Sequence, residues 1–251
     1  MAEHEELPAD ECHVWWARPD AALAGLVGLF DEAERRRHDR FLREADRWRY
    51  VAGHALIRLV LAPLVGRRPA ELAFSTVCRH CGAGHGKPRL TPESGLDFSL
   101  SHSGDRVVLA VARGVELGVD VEELSRRTEP ELAEHVLSPA ELSALDALPE
   151  DRRHAGFFTY WTRKEAVLKA TGHGLAIATR AVELSAPTEP PRLVRWSAAE
   201  PLNSPVTLHD LRPGPGHLAA LAVLTDQPHR VVERDGDRLL RQALADLPAA
   251  R

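Results

Sequence analysis

Cysteine is scarce, with only Cys12, Cys78 and Cys81 in 251 residues. An odd, small number excludes a disulfide-stapled scaffold. Long apolar runs are missing as well: nothing approaches the roughly 20 residues that span a bilayer, so no membrane contact is expected. There is no excess of positive charge. The formal net charge is -5 and the pI about 6.2, which leaves no overall field to attract nucleic acid. Nor is there a positively charged leader, because the first ten residues carry Glu3, Glu5, Glu6 and Asp10; a cytoplasmic chain is expected. What is present is ordinary for a soluble protein: 44% hydrophobic residues, enough for a sizeable core, and 27% charged ones. The length fits one large domain or two of about 120 residues.

Residues 31–65 open with charged turns and continue as an apolar stripe. Phe41, Trp48, Val51, Ala55, Leu59 and Ala62 recur at helical spacings, which predicts a helix ended by Pro63 and Gly66. A Gly- and Cys-rich loop follows at 78–88. Three segments, 96–102, 106–112 and 115–122, then read as an antiparallel meander with turns at Ser103-Gly104-Asp105 and Arg113-Gly114. Helical patterns cover about 129–149 and 154–171. Beyond Gly174 the chain is rich in Pro and β-branched residues and holds one more strong strand, 218–225. That strand is similar to 106–112, and each half has a long helix before its strands, a hint of duplication.

The chemistry-bearing residues follow from this frame. In a strand over 115–122, Val115, Leu117, Val119 and Val121 point one way and Glu116, Gly118, Asp120 and Glu122 the other. Asp120 and Glu122 thus project together, a pair of carboxylates that is stable when solvated, protonated or shared by a cation. In a helix over 158–171, Glu165 and Lys169 share a face; by itself such spacing is an ordinary i,i+4 ion pair. The meander brings the end of its first strand, Ser101-His102, to the edge where the third strand presents Asp120 and Glu122.

Taken together, these residues resemble the 4'-phosphopantetheinyl transferases of the surfactin-synthetase-activating type. The resemblance rests on Gly118-Val119-Asp120-Val121-Glu122, on Trp161-Thr162-Arg163-Lys164-Glu165-Ala166-Val167-Leu168-Lys169, and on Gly86-Lys87-Pro88 with Phe98-Ser99-Leu100-Ser101-His102-Ser103. All three motifs occur in the family's order and cover about residues 30–175. The resemblance implies an α+β fold of two similar halves, 1–113 and 114–251. Each would be a helix packed on an antiparallel sheet, with the active site in the cleft between them. It implies transfer of phosphopantetheine from coenzyme A to a serine of apo acyl or peptidyl carrier proteins, by a monomer. Mg²⁺ would be held by Asp120, Glu122 and Glu165. Asp120, Glu165 and Lys169 would be the catalytic residues, with Glu165 matching the proposed general base. Arg37, Arg49, Lys87, Ser101, His102 and Lys169 match positions that contact the phosphates of coenzyme A, and Glu141 matches a glutamate near the site.

There are departures from the pattern. Tyr50 stands where some relatives have a small hydroxyl residue, and Glu34 where a lysine is found; both bear on how the nucleotide phosphate is recognised. Cys78, Cys81 and His85 have a spacing compatible with three zinc ligands, against which stands a plain loop with incidental thiols, the reading preferred here. There are three rival functions. One is another Mg²⁺-dependent phosphotransferase or pyrophosphohydrolase built on the same carboxylates. Another is a non-catalytic module that binds carrier proteins or coenzyme A, which would be expected to lose Asp120, Glu122, Glu165 or Lys169. The third is a zinc-organised nucleic-acid module, against which the acidic balance speaks.

Overall fold

The computed structural model describes residues 7–78, 82–84, 86–125 and 130–247. In chain order the elements are β1 (Glu11–Ala17), α1 (Glu32–His38), α2 (Glu44–Leu64), β2 (Ala73–Ser75), β3 (Arg89–Thr91), β4 (Leu96–Ser103), β5 (Arg106–Arg113) and β6 (Glu116–Glu123). There follow α3 (Pro130–Val136), α4 (Pro139–Asp146), α5 (Glu150–Thr171), β7 (Val182–Leu184), β8 (Leu193–Trp196), β9 (Val206–Asp210), β10 (His217–Leu224), β11 (Arg230–Asp235) and α6 (Gly236–Ala245). Among the described residues, no helix is long and apolar enough to cross a membrane.

Two sheets form the centre, one ordered β11-β1-β5-β4 and the other β6-β10-β9. Alternation along the strands explains the layering. On β5, Val107, Leu109 and Val111 face the core built with α2, while Val108, Ala110 and Ala112 face the other sheet. On β6, Leu117, Val119 and Val121 meet those residues between the sheets. On β10, Leu221 and Val223 join that middle layer, whereas Ala220, Ala222 and Leu224 pack with α5. The stack is therefore helix, sheet, sheet, helix. β5 and β10, the two strands with similar sequences, are both buried on both faces, which is why each reads as an unbroken apolar run.

The expected helix over 31–65 is two helices. Asp31 and Glu34 make a reciprocal capping box that starts α1, and the chain leaves helical geometry between His38 and Glu44. The expected helix over 129–149 is likewise α3 and α4. Pro139 lacks the N–H a continuing helix needs, and Ser138 caps the new start with Glu141. The helix expected at 154–171 begins earlier, at Glu150, and ends on Gly172 at φ 72°, a left-handed residue that suits glycine. Strands β1 and β11 and helix α6 carried no strong sequence signal. β11 pairs parallel with β1, and α6 contributes Leu239, Leu240, Ala243 and Leu244 to the α2 core. The last described stretch thus returns to the first half.

One contact between the sheets shapes the site. β6 is an edge strand whose alternate N–H groups meet side chains of β4 instead of a backbone. Leu117 N donates to Asp97 Oδ2 (2.8 Å), Val119 N to Ser99 Oγ (3.1 Å), Val121 N to Ser101 Oγ (3.4 Å) and Glu123 N to Ser103 Oγ (3.1 Å). The constant offset of 20 residues means that β4 and β6 run parallel, with side chains standing in for carbonyls.

Candidate active site

The carboxylate pair of β6 points to α5, as the alternation predicts. Gly118 makes the approach possible. A Cβ at that position would sit inside the contact distance of Ala166 O and Ala170 N on α5, and 2.8 Å from Lys169 Cβ. Backbone therefore lies against backbone, and this brings Glu165 and Lys169 beside Asp120. Lys169 does not form a simple i,i+4 pair along its helix. Its Nζ donates to Asp120 Oδ1 (2.7 Å), Ser101 Oγ (3.0 Å) and Val119 O (3.2 Å).

Asp120 is 4% exposed and Glu122 9%. Ser101 Oγ donates to Asp120 Oδ1 (2.8 Å) and Ser103 Oγ to Glu122 Oε2 (2.8 Å). Asp120 Oδ2 is buried without any hydrogen-bond partner among the described residues. Burial raises the Asp120 pKa above its ordinary value; Lys169 and Ser101 oppose this and Glu122 adds to it. Burial also raises Glu165, with the Asp120 charge next, and Lys169 again opposes. Lys169 is the cation that meets Asp120, and the orphaned oxygen leaves this carboxylate with capacity for a further donor or a cation. These hard oxygen donors fit Mg²⁺. Among the described residues no three His, Cys, Asp or Glu side chains are grouped closely enough to hold a metal ion between them, so an ion in this arrangement would take one or two carboxylates and complete its shell with waters and substrate phosphates.

Beside this cluster lies a cavity of about 980 Å³, at the upper end of the range typical for small-molecule sites. Its walls come from both halves: Arg37, Tyr50 and His54 around α1 and α2, Phe98 and Leu100 on β4, and Leu168 and Lys169 on α5. Lys169 is shared by the cavity and the carboxylate cluster. Arg37 stands exposed at the cavity. Arg49 donates to Gly104 O (2.9 Å) and Asp46 Oδ1 (2.5 Å), so it is tied to the β4–β5 turn. His102 is exposed in area, yet the surrounding walls, and after them the Arg49 and Lys169 charges, hold its imidazole below the usual value.

Two expected site residues are placed otherwise. Lys87 borders the cavity, but its ammonium is engaged by the Asp97 carboxylate and by Leu117 O (2.6 Å). It pins β4 to β6 and neutralises the buried Asp97. Glu141 is not among the site carboxylates. It accepts from Ser138 N and Leu184 N and pairs with Lys164 Nζ at 2.7 Å, both side chains at most 1% exposed. Glu34, at a position where a lysine was expected, accepts from Arg58 Nε (2.8 Å) and lies 2.8 Å from His54 Nδ1. His54 in turn stacks on Tyr50 at 3.9 Å. The carboxylate belongs to a buried charge network on the cavity wall. Cys81 and His85 of the zinc motif lie outside the described residues; Cys78 is buried.

Sequence reasoning singled out Ser101 but passed over Ser99, Ser103 and Asp97. The signal was present in the polar i, i+2 alternation of 97–103, which marks a strand face that is buried yet not apolar.

Residues 116–222 match the family model described as the 4'-phosphopantetheinyl transferase superfamily. The chain is also 34% identical over 218 residues to the 4'-phosphopantetheinyl transferase HetI of Nostoc sp., covering 80% of this chain and 90% of that one. The chain belongs to the 4'-phosphopantetheinyl transferase superfamily. It is 31% identical to the 4'-phosphopantetheinyl transferase of Bacillus subtilis over 152 residues, 61% of this chain and 64% of the relative. Among solved structures, the holo-[acyl-carrier-protein] synthase of Thermotoga maritima aligns with TM-score 0.37 and 24% identity, over 45% of this chain and 64% of that one. The matched segment of this superfamily member runs from β6 to β10 and so contains all three carboxylates and Lys169.

Proposed function

We propose that this protein transfers the 4'-phosphopantetheine arm of coenzyme A to a serine of an apo carrier protein, with Mg²⁺ held by Asp120, Glu122 and Glu165. The observation that carries the residue assignment is the buried, partnerless Asp120 Oδ2 beside two further carboxylates, at the wall of a ligand-sized cavity. When bound, the ion neutralises charge on the pyrophosphate oxygens of coenzyme A.

The chain's own residues supply the rest. The cavity receives the nucleotide end of coenzyme A, with Arg37 and His102 near its phosphates. Lys169 places a positive charge between cavity and carboxylates, where the pyrophosphate must lie. Its longest contact, 3.2 Å to Val119 O, is the one most readily exchanged for a phosphate oxygen. The carrier serine attacks the β-phosphorus, the bond to the adenosine 3',5'-bisphosphate oxygen breaks, and Glu165 takes the serine proton directly or through a water. Both walls of the cleft come from one chain, the first half supplying nucleotide contacts and the second the carboxylates, so a monomer suffices.

The test incubates the protein with Mg²⁺, coenzyme A and several apo carrier proteins, and weighs the carriers by mass spectrometry. The expected result is the gain of one phosphopantetheine, stopped by EDTA and restored by Mg²⁺. No gain on any carrier refutes the transferase reading; loss of coenzyme A without a carrier would instead identify a pyrophosphohydrolase. Gain that persists in EDTA refutes the metal assignment alone.

A further inference from the structure

We infer that Ser103 is a positioning residue that fixes Glu122 for the metal, through a proton direction imposed by the side-chain ladder between β4 and β6. The inference rests on the magnesium reading above. Each serine of the ladder accepts an N–H from β6. That interaction occupies a lone pair on the hydroxyl oxygen and leaves its single proton to be donated elsewhere. At Ser101 the proton goes to Asp120 Oδ1 (2.8 Å) and at Ser103 to Glu122 Oε2 (2.8 Å). Both acceptors are carboxylate oxygens, and a carboxylate that carries its charge takes the stronger kind of hydrogen bond.

Ser99 separates the two duties. It makes the same rung to β6, but the residue standing where Asp120 and Glu122 stand for the next two serines is Gly118, which has no carboxylate. A rung therefore does not need a carboxylate, and the bond from Ser103 to Glu122 is an addition to the ladder. Burial of Ser103 (7% exposed) keeps water from replacing it. The same bonds that zip the two sheets together thus orient two of the three proposed ligands.

The experiment titrates Mn²⁺ into the full-length protein with coenzyme A present and carrier absent, following free Mn²⁺ by electron paramagnetic resonance. S103A is expected to raise the Mn²⁺ Kd about 10- to 100-fold, the usual effect of removing a partner that orients a ligand. S99A removes a rung only; each rung lost is expected to lower Tm by about 2–4 °C, with the Mn²⁺ Kd unchanged in S99A. Should S103A fold poorly, S103T and S103V form a shape-matched pair that differs in the hydroxyl. The threonine is expected to bind Mn²⁺ as the wild type does and the valine to match the loss in S103A. Wild-type affinity in S103A or S103V overturns the inference, as does an equal loss in S99A. Failure of the wild type itself to bind Mn²⁺ overturns the magnesium reading and this inference with it.

Discussion

Replacing Gly118 with alanine tests how the site is assembled, because the change adds one methyl group and touches no charged atom. The new Cβ meets Ala166 O, Ala170 N and Lys169 Cβ of α5, the last at 2.8 Å. Carbon atoms prefer about 3.5–4.0 Å, so the helix must retreat by about 1 Å. Overpacking of this kind costs about 1–3 kcal/mol, which for a chain of this size lowers Tm by roughly 2–12 °C. Glu165 and Lys169 retreat with the helix, and a misplacement of about 1 Å costs on the order of 100-fold in rate. Thermal unfolding and the mass-spectrometric transfer assay measure the two effects on one sample. Gly28→Ala is the control, since nothing lies within 4 Å of its added Cβ, and it should leave both unchanged. A Gly118→Ala protein with wild-type Tm and wild-type transfer would refute the close packing of α5 on β6 as the device that brings the site together.

Three further outcomes follow from the geometry. Asp120→Asn keeps the size of the buried group and removes its charge; transfer should fall by about 10³-fold with no loss of Tm by calorimetry, and a normal rate would place the metal elsewhere. Glu141→Gln leaves the fully buried Lys164 unpaired, at a cost of about 3–5 kcal/mol; chemical denaturation should show it, and an unchanged midpoint would return Glu141 to a role outside stability. For Glu34, burial pushes the pKa up from 4.5, but the bonds from His54 and Arg58 outweigh this and the net shift is downward. Its contribution to stability is therefore complete above about pH 4.5 and is lost as pH falls through the lowered folded value. Tm measured between pH 3 and 7 should decline less steeply in Glu34→Gln than in the wild type, and parallel curves would refute the network's role.

The parts of the fold and site that were legible in the sequence are those set by local periodicity. The strands β4, β5 and β6 were readable because alternation and Gly turns are written within a few residues of each other. The two faces of β6 followed for the same reason. The expected three-strand meander was wrong, however: only β4 and β5 pair, while β6 crosses to the second sheet and pairs with β10. The break at Ser138-Pro139 was also visible in principle, since a proline and a cap residue are local signals that outrank a charged helical pattern. β1, β11 and α6 were not legible. β1 contains Glu11, His13 and two tryptophans, and its place is decided by pairing with residues about 100 and 220 positions away.

For single residues the limit lay in partner choice. Lys87 and Lys169 look alike as cations near a phosphate site. Only the structure shows the first locked to Asp97 and the second poised between Asp120 and the cavity. Glu141 and Glu165 are both helical glutamates, yet one is consumed by Lys164 and the other left half-buried beside Asp120. A charge acquires its role from what neutralises it, and that partner lies tens of residues away in the chain. By itself the sequence determined the family, the carboxylates of β6 and the face from which they project. The tertiary structure decided which oxygen is left without a partner, why Gly118 must lack a side chain, and that the serines of β4 both join the sheets and hold the carboxylates. Those follow from close packing and hydrogen-bond satisfaction between segments that meet only once the chain has folded.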